Sequence, residues 1–228
     1  MTYSTATKNL ISVIIPCRNG TNYLAEAVAG INRQNMPVEI IVVDDHSTDE
    51  TAELAESMGC RVIRHEVTRG QVAGKNTGLK AAKGEYVLFH DHDDVMAQGA
   101  LAALYRELTS APDTWLVMAK VQDFFSPELD EMAKRRVNIK AEPYYGLFTG
   151  AVLMRKNLFD YTGYFDEQLT AGEIITLMAK LKTLPWIKYK KIDVTTCNRR
   201  VHANNYGRTN ADKEYKDYMK ILRDNLRH

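Results

Sequence analysis

Cysteine is scarce and unpaired in this chain. Cys17, Cys60 and Cys197 are odd in number, widely spaced and without a CxxC pair, which excludes a disulfide framework and a cysteine-built zinc site. A reducing, cytoplasmic compartment is the one they fit. Long apolar runs are missing as well: none approaches the roughly 18 residues that a spanning helix needs, and the polar opening from Met1 to Asn9 lacks the apolar stretch of a signal peptide. The expectation is a chain outside the bilayer, with peripheral contact at the inner face of the membrane left open. Neither sign of charge is in excess. The 30 basic and 29 acidic residues leave +1, so no net field draws nucleic acid or anionic lipid, and a local patch must hold any anion. Repeats, low-complexity tracts and linkers are absent too. The 228 residues, 45% of them hydrophobic, can bury one substantial core and are expected to form a single domain over residues 1–228.

What is present is an alternation. Ile11 to Ile15 is short, β-branched and apolar at nearly every position, as a strand buried on both faces must be. Turn residues Asn19 and Gly20 follow, then Leu24, Val28 and Ile31 at helical spacing. Ile40 to Val43 repeats the strand pattern and stops at Asp44-Asp45. Ser47-Thr48-Asp49-Glu50 then has the spacing of a capping box before a helix that Gly59 ends. Arg61 to Ile63, Val72 to Lys83 and Glu85 to Phe89 continue the theme. Such alternation predicts an α/β fold, a mostly parallel central sheet flanked by helices with right-handed crossovers. Ligands of these sheets sit beyond the carboxyl ends of the strands, where Pro16 to Asn19, Asp44-Asp45 and His90 to Asp94 converge.

The second half is less regular. It reads as a helix over 100–108, a strand over 115–119, a long functional loop with one short helix over 123–147, and a strand over 150–154. A helix over 173–182 and a basic strand from Trp186 to His202 follow. The tail from Asp212 carries Tyr215, Tyr218, Met219, Leu222 and Leu226 at helical spacing, and docks on the body or on a second copy to form a homodimer.

Two common phosphate-binding devices are missing. A dinucleotide site needs a glycine-rich turn after the first strand, where only Gly20 stands, and Gly70-Gln71-Val72-Ala73-Gly74-Lys75-Asn76 has its glycines one residue too close for a phosphate loop. Lys75 reads as a phosphate contact or as a solvated lysine. Asp91, Asp93 and Asp94, interleaved with His90 and His92, are the strongest chemical signal. Like charges at this spacing repel unless water, a cation or a basic ligand relieves them. Turns do favour aspartate, yet a buried strand before the cluster and Met96 after it favour a site. Carboxylates spaced D-x-D suit Mg²⁺ or Mn²⁺, ions that bridge protein to diphosphate oxygens. Asp45 is the candidate acceptor for the imide N–H of uracil, because Ser47 can serve as the helix cap; Asp44 reads equally as a helix-start turn. Cys17, without a histidine partner, reads as an inert small residue.

VIIPCRNG, EIIVVDDHSTDET, AGKNTGLKAAKGEYVLFHDHDD, TGYFDEQL and RRVHANN, in this order over nearly the whole chain, together resemble the family-2 glycosyltransferases of the A-type, Rossmann-like fold. The resemblance implies an inverting transfer of a sugar from a nucleoside diphosphate, usually UDP, to an acceptor hydroxyl, with Mn²⁺ or Mg²⁺ on the leaving diphosphate. By position it implies that Pro16, Arg18, Asn19 and Asp45 line the nucleoside pocket, with Lys75 near the base or phosphates. Asp91 would approach the ribose or the metal's water shell, and Asp93 would bind the metal. The family's histidine in an Arg-x-His context reaches back to the metal, which points to His202; unaided, a lone histidine in a basic strand reads as a surface residue. Arg199, Arg200 and Arg208 would neutralise the diphosphate or form the polar side of an edge strand.

Inversion needs a carboxylate to take the acceptor's proton. The family often shows Glu-Asp at a helix start after Gly-x-Phe-Asp-Glu, whereas this chain has Gly172-Glu173-Ile174. Glu173 is the expected base, a helix-stabilising glutamate its other reading, and Asp166 the reserve. Residues of about 10–120 would bind the donor, and 121–228 the saccharide, lipid-linked or other hydroxyl acceptor, with Tyr144, Tyr145 and Phe148 stacking on a sugar or packing. Two other functions fit less of the pattern. A noncatalytic sugar-nucleotide-binding scaffold would keep Asp45 and Asp93 without the base, and a nucleotidyltransferase needs a basic glycine loop that Cys17-Arg18-Asn19-Gly20 does not supply.

Overall fold

The computed structural model describes residues 6–137, 139–146, 148–203, 205 and 211–225. Its first half follows the alternation: β1 (Thr7–Cys17), α1 (Leu24–Asn32), β2 (Val38–Asp44), α2 (Thr51–Ser57), β3 (Arg61–Arg64), α3 (Gln71–Ala81) and β4 (Gly84–Phe89). The apolar runs become strands with both faces covered. Ile11, Val13 and Ile15 enter one core layer beneath α1, while Ile14 between them enters the other beneath α3. The chain continues through β5 (Val95–Met96), α4 (Ala100–Thr109), β6 (Thr114–Phe125), α5 (Glu131–Arg135), β7 (Val152–Arg155), α6 (Phe159–Thr162), α7 (Glu173–Leu181), β8 (Lys188–Val201) and α8 (Ala211–Asn225).

The eight strands form one sheet in the order β3-β2-β1-β4-β7-β6-β8-β5. It is parallel from β3 to β4, as expected. Beyond β4 it is mixed, because β7 runs antiparallel to both β4 and β6, and β5 antiparallel to β8. Gly74 and Gly78 let α3 lie close on β1: a Cβ at Gly78 would stand 2.3 Å from Ile14 Cγ2, and one at Gly74 would stand 2.9 Å from Pro16 Cβ. Close approach carries the polar Lys75 and Asn76, on the same helix, into buried positions beside the strand ends.

Several expected boundaries shift. The strand over 115–119 extends to Phe125 because β8 pairs with it along its whole length. Residues 150–154 divide into a 3-10 turn, Thr149–Ala151, and β7. The capping box does not form: α2 starts at Thr51 without a side-chain cap at Glu50, and Ser47 instead accepts a hydrogen bond from Asn19 N at 2.9 Å. The long loop holds α5 and is pinned to the sheet by a bridge between Val121 and Tyr144. The tail is helical and docks on the body through Ile221, while Leu226 lies outside the described residues. Trp115, Tyr161 and Trp186 meet edge to face at 4.8–5.5 Å around the amino ends of β6 and β8. No described helix is long and apolar enough to cross a membrane.

All three cysteines are buried. Burial, then Asp44 and other nearby carboxylates, pushes the Cys17 thiol far up; burial lifts Cys60 to about 11, and burial with Asp94 and Asp91 raises Cys197 well above the usual thiol range. The folded protein is therefore expected to resist a disulfide reagent at mildly alkaline pH, and to release three reactive thiols once unfolded in urea. Rapid labelling of the native protein would contradict the packing described.

Candidate active site

β4 delivers three aspartates into a turn, and each meets a different environment. Asp94 points back into the protein, where Oδ1 accepts from Arg200 N at 2.9 Å and Oδ2 from the Cys197 thiol at 3.5 Å. Burial and then the charges of Asp93 and Asp91 raise its carboxyl well above the usual range, so it acts as a structural tie to β8. Asp93 faces His202, whose Nε2 lies 2.9 Å from Oδ2, and Asn205 Nδ2 lies 3.3 Å from the same oxygen. Burial opposes its ionisation, but the His202 hydrogen bond and the neighbouring imidazoles outweigh that and hold it below the usual value. Asp91 is raised, first by burial and then by Asp93 and Glu173, against the attraction of Lys75. His90 is fully buried, which lowers its imidazole to about 4, and its Nδ1 has no partner among the described residues.

Lys75 and Glu173 form the opposite wall. Lys75 Nζ donates to Glu173 Oε1, with both side chains under 10% exposed. Burial alone would lower the ammonium, but Glu173 and Asp91 reverse that and raise it. Glu173 opens α7 after Gly172, whose φ of +84° is a left-handed conformation that favours glycine. Residues 165–170, leading to it, are clamped to α3: Asn76 pairs with Phe165 N at 3.1 Å and Phe165 O at 2.9 Å, Gln71 Nε2 donates to Thr170 O at 2.7 Å, and Arg69 meets Glu167 at 2.9 Å. Asp166, the reserve base, stands elsewhere. It is exposed and occupied by Gln168 N at 3.0 Å and Lys220 at 3.5 Å.

At the end of β1, Pro16 packs under Gly74, and Asn19, with a positive φ of 52°, locks onto the next loop through Thr48 N at 2.8 Å. Arg18 is exposed and without a partner among the described residues. Gly20 leaves room for Cys17 Sγ and the His92 ring, which a Cβ there would approach at 2.2 and 2.9 Å. Asp45 directly follows β2 and is engaged by the protein's own groups. It is buried, with Oδ1 taking His65 Nδ1 at 2.7 Å and Arg69 N at 2.8 Å, and Oδ2 taking Gly70 N at 2.8 Å. It thus organises the turn into α3. Asp44 is equally buried, and Ser47 donates to its Oδ1.

The arginines are likewise engaged. Arg200 pairs with Glu26 and stacks on Tyr23 and Phe124 at 4.9 and 4.7 Å, and Arg199 bonds Asp123 at 2.8 Å and covers Phe148 at 4.9 Å. Arg208 lies outside the described residues. Asn205, Asn76, Tyr23 and His65 were not singled out in the sequence. Tyr23 stacks on His202 at 4.7 Å. Only Asn205, three residues beyond His202, had a signal in its spacing.

Asp45 also yields a pH dependence. Burial pushes its carboxyl up, but hydrogen bonds from His65, Arg69 and Gly70 win and depress it below the ordinary 3.8. A depressed carboxyl stabilises the fold above its unfolded value, and that stability is lost as pH falls through the lower folded value. The Tm advantage of wild type over Asp45→Asn is expected in full at neutral pH and should shrink progressively in acid from about pH 4 downward. A constant gap across that window would refute the assignment.

The model of the family described as Glycosyl transferase family 2 matches residues 12–165. Glycosyltransferase GlyG of Streptococcus pneumoniae is 37% identical over 105 residues, covering 43% of this chain and 35% of that protein. The poly(ribitol-phosphate) beta-N-acetylglucosaminyltransferase TarS of Staphylococcus aureus is 29% identical over 184 residues, covering 75% of this chain and 32% of TarS. The chain thus spans about a third of either relative. The crystal structure of TarS 1–349 with UDP superposes with a TM-score of 0.68 at 23% identity, over 93% of this chain and 63% of that one. The mannosyltransferase PcManGT of Pyrobaculum calidifontis, in complex with GDP-Man and Mn²⁺, gives 0.71 at 19%, over 96% and 64%. The fold is theirs, and with the family model matching more than half of its residues, the chain belongs to glycosyl transferase family 2.

Proposed function

We propose that this protein transfers a sugar from a nucleoside diphosphate to an acceptor hydroxyl by a single inverting displacement. The observation that carries the reading is the meeting of Asp93 with His202, a contact across 109 residues that pairs the second aspartate of D-x-D with the histidine of Arg-x-His. Their chemistry fits a divalent cation. A carboxylate oxygen and an imidazole nitrogen 2.9 Å apart match neighbouring ligands of an octahedral ion, which stand about 3 Å from each other. Asp93 and His202 are the side chains that would hold it; among the described residues no third His, Cys, Asp or Glu joins them. When bound there, Mn²⁺ or Mg²⁺ would supply charge neutralisation to the leaving diphosphate.

The chain's own groups supply the rest. Glu173 takes the proton of the acceptor hydroxyl as its oxygen attacks the anomeric carbon, and the bond to the diphosphate breaks with its electrons on the departing oxygen. Lys75 holds the Glu173 carboxylate in place through their ion pair. Asp44 or Asp45, with Pro16 and Asn19, borders the nucleoside, and the UDP complex of TarS favours uridine. One observation favours a second reading, a noncatalytic sugar-nucleotide binder: Glu173 already holds an ion pair.

Glu173→Gln separates the two. Loss of the base is expected to cut sugar transfer and donor hydrolysis about 10²- to 10⁴-fold while Mn²⁺-dependent UDP binding persists. A wild type that binds UDP yet never turns over, like Glu173→Gln, would favour the binder. Asp93→Ala should abolish the metal-dependent part of UDP affinity, measured calorimetrically with and without Mn²⁺; an unchanged dependence would remove Asp93 from the metal site.

The acceptor reading rests on the surface around Lys140, Tyr144 and Tyr145. Lys140 sits over Tyr144 at 4.0 Å, and Lys120 and Lys191 sit over Tyr145 at 5.6 and 5.4 Å. Lys140 and Lys191 are exposed and have no acidic partner among the described residues, whereas Lys120 is paired with Asp193. Residues 121–228 hold 19 basic against 14 acidic side chains, which sets this half apart from the acidic first half. An anionic acceptor suits such a surface, and TarS and a Bacillus spizizenii relative are named for poly(ribitol-phosphate). Combined Lys140→Gln and Lys191→Gln changes are expected to raise KM for a ribitol-phosphate oligomer up to about tenfold, two exposed charge contacts being lost, with donor hydrolysis unchanged. Equal use of a neutral oligosaccharide would refute this.

A further inference from the structure

Resting on the reading of Glu173 as base, we propose that Asp217 on the C-terminal helix is a positioning residue that fixes where Glu173 stands. Its Oδ2 accepts three hydrogen bonds from the segment just before that residue: Thr170 N at 2.6 Å, Thr170 Oγ1 at 2.6 Å and Ala171 N at 3.2 Å. Gln71 of α3 holds Thr170 O from the other side. The Thr170 peptide is thus pinned at both ends by two helices distant in sequence. Gly172 follows in its left-handed conformation, and α8 closes over it: a Cβ there would lie 2.7 Å from Ile221 Cδ1 and 3.3 Å from Tyr218. Lys220, on the same helix, reaches Asp166 at 3.5 Å and Gln168 at 3.4 Å.

These contacts converge on one short stretch, residues 166–172, which leads directly into the first turn of α7. Asp217 sets the orientation of the Thr170 and Ala171 amides, and Gly172 converts that orientation into the direction in which α7 starts. Glu173 is the first residue of that helix. Its side chain must meet an acceptor oxygen in line with the anomeric carbon, a geometry where displacement by 1 Å can cost about 10²-fold in rate. A tie on the loop before the base therefore acts on turnover, while donor affinity, set at the strand tips, stays apart from it.

The test is steady-state UDP release from UDP-N-acetylglucosamine and GDP release from GDP-mannose, with Mn²⁺, alongside calorimetric UDP affinity and Tm. Asp217→Ala is expected to lower kcat about 10- to 100-fold and to leave UDP affinity within about twofold. Asp217→Asn keeps an accepting oxygen and should restore most of the rate. Thr170→Val removes only the hydroxyl bond, and should give a smaller loss in kcat with little change in Tm. Turnover, UDP affinity and Tm falling together in all three variants would reduce Asp217 to general support and overturn the inference. Wild-type turnover in Asp217→Ala beside an inactive Glu173→Gln would overturn the positioning role alone, whereas an active Glu173→Gln would overturn the base assignment beneath it.

Discussion

Three carboxylates crowded at the end of one buried strand repel each other, and much of the molecule's polar architecture answers that repulsion. Asp91 faces the ammonium of Lys75, Asp93 the imidazole of His202, and Asp94 the backbone of Arg200 and the Cys197 thiol. Each counterpart comes from a different element: α3, the segment after β8, and β8 itself. The acidic turn thus selects which parts of the chain must meet there, and the tertiary structure is the set of connections that brings them. A charge cluster of this kind is poor for stability and useful for holding a charged ligand.

The Lys75–Glu173 pair carries the same tension across the cleft. Taking two charges out of water costs several kcal/mol per ion, and their attraction offsets this only when geometry and neighbours are favourable. Here the geometry is imposed from outside the pair. Glycines 74 and 78 bring α3 onto β1, Asn76 clamps Phe165, and the stretch that precedes α7 is held between two helices. An isolated stability argument would favour apolar residues at these two positions. Lys75 and Glu173 satisfy each other where either charge alone would be costly to bury.

The fold of the first half was readable from the sequence because its signals are local: β-branched runs of four or five residues, glycine stops and turn residues. The second half was read less well, since β6 is extended by pairing with β8 some 70 residues later, which no local pattern announces. At the site, Asp93 and His202 were legible through their motifs. Asp44 and Asp45 were not separable, because both are buried and the partners that tell them apart, Ser47 for Asp44 and His65 with the amides of residues 69 and 70 for Asp45, are brought in by tertiary contacts. The arginines of β8 looked available for phosphate for the same reason, their aromatic and acidic partners lying across the fold.

The aromatic corner at the amino ends of β6 and β8 has an optical consequence. The chain has two tryptophans, Trp115 and Trp186, and they sit 5.4 Å apart with Tyr161 between the same neighbours. Excitation will migrate within this trio, so intrinsic emission will report the integrity of that corner. It lies at the opposite end of the strands from Asp123 and His202, so the spectrum will be nearly blind to events in the cleft; a ligand titration followed by fluorescence needs a reporter placed there.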